Sequence, residues 1–424
     1  MRAFINRTGL VAACGLFVFS ATGGAYAEPV TVHFLTEEKL ESFQPVIDAF
    51  EKTHPDIKID FQTVPFDSMN PQIEARIGGK DSSLDLYMVD TPRVPSLANR
   101  GFLADLSDDL DKVKAVTTPE EQGVLEYKGK LVALPLWTSS QLLYYNKDLL
   151  QKANIPDPSA DEKDRLTYEQ VLAMAKKAQA AGAKWGFAFD QVDRYYQLQP
   201  IFESLGAGPG LTGKEMLTPD ITSAKWVEGA KFYASLFADG YAARGVTDDQ
   251  MPAQFAAGEE AFFVGGTWNM GRFDAAKGLN YGVAPVPYFK GGKPVTPTDS
   301  WALGINPYAA HPKEAKLFAD FMALNATGNL LTVKITPNIP ANTGALDKYL
   351  DQMAADHPKV GKDAKQIIAY ELKHTAVSRP RSIGYVAFET IMNKMFSDLR
   401  NGSDVDATLK QAQSQLKSTL SRIR

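Results

Sequence analysis

Apolar residues recur along this chain with two different periods. The stretch PVTVHFLT, residues 29–36, is rich in β-branched residues and reads as a strand. KLESFQPVIDAFEKTHPD then places Leu40, Phe43, Ile47 and Phe50 on one helical stripe that stops at His54-Pro55. IKIDFQTVP alternates as a second strand, a helix is expected around Met69–Ile77, and the apolar LDLYMVD supplies a third strand. This strand–helix–strand–helix–strand order predicts an α/β sheet with largely parallel strands.

The same alternation continues downstream. YKGKLVALPLW reads as a turn leading into a strand, and LLYYNKDLLQKANI as a strand passing into a helix. In LTYEQVLAMAKKAQAAG, Thr167 is placed to cap a helix that stops at Gly182. KWGFAFD and AFFVGG read as strands, whereas SAKWVEGAKFYASLFADG and PAQFAAG read as helices. From His311 onward the pattern is mostly helical and closes with an amphipathic terminal helix, DATLKQAQSQLKSTLSRIR. Neither an internal repeat nor a low-complexity linker breaks the sequence, so two lobes would be joined by ordered strands.

Length makes two lobes the expectation, because 424 residues exceed what one hydrophobic core usually supports. With 44% hydrophobic and 22% charged residues, the composition is that of a soluble globular protein. The N-terminus departs from it. MRAFINRTGLVAACGLFVFSATGGAYA carries Arg2 and Arg7 but no acid, then an apolar run from about Leu10 to Phe19, then Ala25-Tyr26-Ala27. These are the three parts of a secretory signal spanning residues 1–27, with cleavage expected before Glu28. Val-Ala-Ala-Cys, ending at Cys14, faintly resembles a lipidation site but leaves almost no apolar segment ahead of the cysteine. Cys14 is the only cysteine, so a cleaved chain has no thiol and no disulfide chemistry. The leader carries two positive charges, so its removal makes the net charge of −5 still more acidic. An acidic chain without a basic tract is a poor match for nucleic acid.

Enzyme and cofactor signatures are missing where they would be expected. Three of the five histidines (His54, His311, His357) precede proline, which suits turns and helix ends. There is no H-E-x-x-H, G-x-S-x-G or C-x-x-C motif and no metal-like spacing, so no cofactor and no metal are expected. GPGLTGKE, residues 208–215, comes close to a phosphate loop. However, Glu215 stands where a Ser or Thr hydroxyl is needed, a helical pattern precedes it, and Thr218-Pro219 follows where a helix should begin. It reads as a surface loop.

The tryptophans carry more information. Trp226 lies within a helical pattern and belongs to a core, whereas Trp137, Trp185, Trp268 and Trp301 stand at strand–loop junctions beside small or polar residues. The C–H face of a pyranose packs on an aromatic ring while its hydroxyls need acids, amides and arginines at the rim. Each ring taken alone is more often structural; four in such settings favour a carbohydrate cleft.

In this setting the chain resembles the bacterial extracellular solute-binding proteins of the large sugar-binding group, the capture subunits of ABC importers for maltose, trehalose and other oligosaccharides. The resemblance covers essentially all of the chain after the leader. It is carried in order by FQPVIDAFEKTHPDIKID, LDLYMVDTPRVPSLANRGFLADL, YKGKLVALPLWTSSQLLYYNKDLLQKANI, QFAAGEEAFFVGGTWNM and GVAPVPYFKGG…SWALGINPYAAHPKEAKLFADFM. It implies a two-lobed α/β periplasmic binding protein fold of type II-like form. Residues 28–138 with about 285–335 would form one lobe and 139–284 with about 336–424 the other, with crossing strands between them and the ligand in the cleft. It also implies a monomer that captures a sugar, closes on it about a hinge, and presents it to membrane permease subunits; such closure is the known behaviour of periplasmic binding proteins.

By position, the resemblance offers Asp90 as an acceptor for sugar hydroxyls, Trp137 as an aromatic at the hinge side, and Trp268 and Trp301 as stacking platforms. Trp185 joins them by its setting. Ser139 stands where relatives that bind disaccharides often carry an acid, and Asp299 where some have glycine. Arg379 matches an arginine reaching into the cleft, Glu38 follows the first strand, and Asn338 lies in a contact-bearing loop. Two other readings compete. Arg93, Arg194, Arg379 and Arg381 could serve an anionic sugar derivative such as a sugar phosphate or sulfonated glycoside. Asp90 and Asp299 could be cast as the carboxylate pair of a secreted carbohydrate-active enzyme, although no motif recommends them.

Overall fold

The computed structural model describes residues 28–423 apart from residue 249. The expected leader and Cys14 lie outside the described residues. Nine strands build the two main sheets: β1 (Val30–Thr36), β2 (Ile57–Thr63), β3 (Leu86–Asp90), β4 (Leu134–Pro135), β5 (Gln141–Asn146), β6 (Trp185–Phe189), β7 (Glu260–Gly266), β8 (Tyr281–Ala284) and β9 (Trp301–Ile305). Their orders are β2-β1-β3-β9-β4 and β8-β5-β7-β6. Each sheet is the centre of one α/β lobe. The central strands β3 and β7 are buried at every position, as expected of strands covered on both faces.

The expectation of largely parallel strands holds within β1, β2 and β3. It fails for β9, which runs antiparallel to both β3 and β4. The cause is topological. β1 and β3 run towards the gap between the lobes, whereas β9 arrives from the other lobe and must run away from that gap. The second sheet is mixed for a similar reason: β7 is parallel to β6 but antiparallel to β5, which is itself antiparallel to β8.

Helices cover the sheets as their apolar stripes dictate. Leu40–Thr53 buries Phe43, Val46, Ile47 and Phe50. Phe50 meets Phe318 of the helix Pro312–Ala323 with ring centroids 4.9 Å apart. In the second lobe Trp226, in the helix Ala224–Ala238, is fully buried and stacks on Phe202 at 3.8 Å. Thr167 caps the helix Tyr168–Ala180 through a reciprocal pair with Gln170. GPGLTGKE forms a small hairpin of Leu211–Thr212 against Thr218–Pro219, without the strand-to-helix setting of a phosphate loop. Among the described residues no helix is long and apolar enough to cross a membrane.

Three passages link the lobes. Trp137–Thr138 pairs with Ile339–Pro340, and Thr296–Pro297 pairs with Ala376–Val377. The third is the helix Thr343–Asp356, which packs on Ala326–Thr332 at one side and on Gly361–His374 at the other. A buried cluster fastens the second passage to its lobe: Glu371 takes Arg165 Nη1 at 2.7 Å and the Thr296 hydroxyl at 2.6 Å. The connections are therefore ordered and hydrogen-bonded, and the cleft they flank has defined walls.

Candidate ligand-binding cleft

The carboxyl ends of strands from both sheets point into one cavity of about 480 Å³. Ligands of open α/β sheets gather at such ends, because loops there leave backbone and side-chain polar groups free of the sheet. From the first lobe, β1 leads into Glu37 and Glu38, β3 ends on Asp90, and the start of β9 puts Trp301 directly beside Asp90 in register. From the second lobe, β6 runs into Gln191, Arg194 and Tyr196, while β7 runs into Trp268. Asp299 and Arg379, from the two crossing segments, complete the floor, and Asn338 adds an amide.

Specific partners hold several of these groups in place. The Thr36 hydroxyl accepts the Glu38 backbone N–H at 3.0 Å, and the Thr63 hydroxyl donates to the Glu38 carbonyl at 2.9 Å, fixing the turn after β1. Burial raises the pKa of the Glu38 carboxyl, against the pull of Asn338 and Ser42 beside it. Burial, helped by the charges of Glu38 and Asp90, pushes Glu37 up to about 8.

Arg379 organises the floor. Its guanidinium donates two parallel hydrogen bonds to Asp90, at 2.9 and 2.6 Å, and its backbone N–H donates to Asp299 Oδ2 at 2.7 Å. The guanidinium also lies over the Tyr196 ring at 4.8 Å. Asp299 has φ of +71°, a left-handed conformation that glycine adopts freely and aspartate tolerates better than most residues. That backbone turns its carboxylate back towards Arg379. A second buried pair crosses between the lobes, Arg93 Nη2 to Glu389 at 2.7 Å. At the cleft, Arg194 joins Asp67 of the first lobe to Asp248 of the second, both at 2.9 Å, with Phe66 beneath its guanidinium at 4.3 Å.

Of the ten residues proposed from sequence, Glu38, Asp90, Trp268, Asp299, Trp301, Asn338 and Arg379 line this one cavity. Three do not. Trp137 is 1% exposed, donates its indole N–H to Thr332 at 2.8 Å and packs against Phe43, so it belongs to the core of the first lobe. Ser139 lies beneath the floor, where it accepts from Tyr196 and donates to the Asp299 carbonyl; it supports the floor without lining it. Trp185 opens β6 at its amino end, and five residues of strand, about 16 Å, separate it from the cleft end. Glu37, Phe66, Tyr196, Asp248 and Arg272 are cleft residues that sequence reasoning passed over. Glu37 directly follows the strand VTVHFLT, so applying the strand-end rule there would have found it, whereas Tyr196 lies in the helix Tyr195–Leu205 beyond the reach of that rule.

The competing chemistries fit this geometry poorly. Arg93, Arg194 and Arg379 are each matched by carboxylates, and Arg381 instead reaches the carbonyl of Glu126. Asp90 and Asp299 are tied to one Arg379, so they do not flank a bond as an acid and base would. Among the described residues no group of three or more His, Cys, Asp or Glu is placed to hold a metal ion.

Trp301 is half-buried, and its neighbour in the cleft is Phe66, edge to face at 5.9 Å. Replacing it with alanine is expected to weaken ligand binding about tenfold or more while leaving the melting temperature nearly unchanged. Calorimetric titration alongside a melting scan checks this. A large loss of stability with affinity intact would make Trp301 a core residue.

Two α/β lobes around a single polar, aromatic-lined cavity, joined by paired crossing segments, define a two-lobed ligand-capture protein. The chain belongs to the bacterial extracellular solute-binding protein family, whose model matches residues 35–329. It is 27% identical over 283 residues to the maltodextrin-binding protein MdxE of Bacillus subtilis, an alignment covering 65% of this chain and 64% of that one. It is also 26% identical over 350 residues to a galactooligosaccharide-binding protein of the same organism, covering 78% and 77%. In fold it matches the ABC substrate-binding protein Lmo0181 of Listeria monocytogenes, solved with cycloalternan. The TM-score is 0.80 at 21% identity, over 93% of this chain and 100% of that one.

Proposed function

We propose that this protein captures a neutral saccharide in the cleft and delivers it unchanged to the membrane permease of an ABC importer, working outside the cytoplasmic membrane as a monomer after its leader is removed. The observation that carries the reading is that Trp301 from one lobe and Trp268 from the other line one cavity with carboxylates and an amide. Flat apolar faces suit the C–H faces of pyranose rings, and fixed acceptors suit their hydroxyls. Two of the three arginines lining the cavity support a neutral ligand over an anionic one. Arg379 and Arg194 already satisfy protein carboxylates, so they serve as braced donors and not as free countercharges. The maltodextrin- and galactooligosaccharide-binding relatives set the first ligands to try.

A thermal-shift screen tests the proposal with maltodextrins, galacto-oligosaccharides, free hexoses, and phosphorylated and sulfonated sugars. A specific ligand at a hundredfold excess over its Kd should add about 2.7 kcal/mol of stability. Stabilisation by phosphorylated or sulfonated sugars alone would replace the neutral reading with the anionic one, and turnover of a bound glycoside would replace it with an enzyme.

A further inference from the structure

We propose that Asp190 is a positioning residue for the sugar platform: it pins the indole of Trp268 so that the ring stands ready in the cleft before any ligand arrives. The inference rests on the saccharide reading above and concerns a residue that does not itself line the cavity.

Asp190 follows β6 immediately and is 3% exposed. Its backbone N–H donates to the Val264 carbonyl at 2.9 Å, which ties it to β7, the strand that delivers Trp268. One carboxylate oxygen, Oδ2, accepts both the Trp268 indole N–H at 2.8 Å and the Asn269 amide at 2.7 Å. The chain also clears space for this arrangement. A Cβ at Gly266 would fall 2.1–2.4 Å from three atoms of the Trp268 ring, so the indole rests against a backbone that must carry no side chain. At Gly265 a Cβ would come within 3.1 Å of the Asp190 Cβ and 3.0 Å of the Asn269 amide. The two glycines of GGTWN therefore make room for the indole on one side and its anchor on the other. With its N–H tethered and its ring against Gly266, the indole has lost its rotational freedom.

The functional consequence is preorganisation. A tryptophan that is free in the empty protein must be ordered when a sugar binds, and that cost is subtracted from affinity. Asp190 removes it in advance, as the shell behind a precise site does generally. A loss of about tenfold in affinity is the scale expected when one large side chain must be ordered at binding.

The test is a double-mutant cycle with maltotriose as the probe, joined to a measurement that needs no ligand. Asp190→Ala is expected to raise the Kd for maltotriose about tenfold in the otherwise wild-type protein and by less than twofold in a Trp268→Ala background. Asp190→Asn should keep most of the affinity, because both donors converge on one oxygen and the amide still offers one. In the ligand-free protein, Asp190→Ala should make Trp268 more accessible to acrylamide quenching, read as the difference from the matching Trp268→Phe proteins. Equal losses in both backgrounds, or quenching unchanged by Asp190→Ala, would overturn the proposal. If the unaltered protein binds neither maltotriose nor any other sugar, the saccharide reading fails, and the quenching result still decides whether Asp190 holds the ring.

Discussion

Arg379→Ala is expected to destabilise the protein by about 3–5 kcal/mol and to abolish measurable ligand binding, the typical penalty for stripping a buried ion pair of one partner. The Asp90 and Asp299 carboxylates are both nearly inaccessible to water, and Arg379 is their shared partner. Without the guanidinium, Asp90 retains only Arg93, at 3.7 Å and already engaged by Glu389. Asp299, whose pKa burial already raises against the pull of Arg379, would lose its main countercharge. Arg379→Lys should recover part of the stability and little of the binding, because a point charge cannot make the paired contact with Asp90. A double variant, Asp90→Leu with Arg379→Met, separates the two effects. It removes the Asp90–Arg379 pair together and should regain the part of the lost stability that an unpaired Asp90 costs, while Asp299 stays without its guanidinium and binding still fails. Urea unfolding and calorimetry on the four proteins provide the check. Stability of Arg379→Ala within about 1 kcal/mol of the original would show that the pair is not buried as described.

Much of this architecture was legible in the sequence, because helices and strands announce themselves locally. Phe43, Ile47 and Phe50 sit at helical spacing whatever else the chain does, and Thr167 caps its helix through a residue three positions away. The cleft was harder to read. Arg379 and Asp90 lie 289 residues apart, and no local pattern can show that they touch. The tryptophans mark the limit most clearly. Trp137, Trp185, Trp268 and Trp301 all stand at strand–loop junctions, and composition alone cannot say which end of the strand faces the gap. Trp268 follows the carboxyl end of β7, and Trp301 opens the antiparallel β9 at the matching edge, so both reach the cavity. Trp185 opens the parallel β6 at the far edge. Trp137 reaches the right region with its ring turned into the core, where Thr332 takes its N–H. Direction of travel and the face on which a ring lands are properties of the folded sheet.

A second large effect concerns a carboxyl group away from the cleft. Glu260 opens β7, is fully buried, and neither carboxyl oxygen has a hydrogen-bond partner. Burial, reinforced by Glu259, raises its pKa well above the ordinary glutamate value. An acid whose folded-state pKa is raised stabilises the fold in its protonated form. Its contribution is therefore intact below the unfolded value near 4.5 and drains away as pH rises above it, at up to about 1.4 kcal/mol per pH unit. Glu260→Gln cannot titrate, so it should flatten this part of the pH dependence while leaving an unsatisfied amide in place. Glu260→Met keeps a similar length and needs no hydrogen bond, and is expected to gain about 1–3 kcal/mol at pH 7.5, the usual cost of a buried polar group left unpaired. At pH 5 the gain should shrink, because that pH lies only about half a unit above the unfolded value and little of the protonated form's contribution has yet been lost. Glu37 and Asp190, pushed up to about 8 and about 7 by burial, add slopes of the same sign, so the unaltered protein should melt higher at pH 5 than at pH 7.5. Melting scans at the two pH values on all three proteins decide the matter. A Met variant no more stable than the original at pH 7.5 would mean that Glu260 has found a partner, water included, that satisfies its charge.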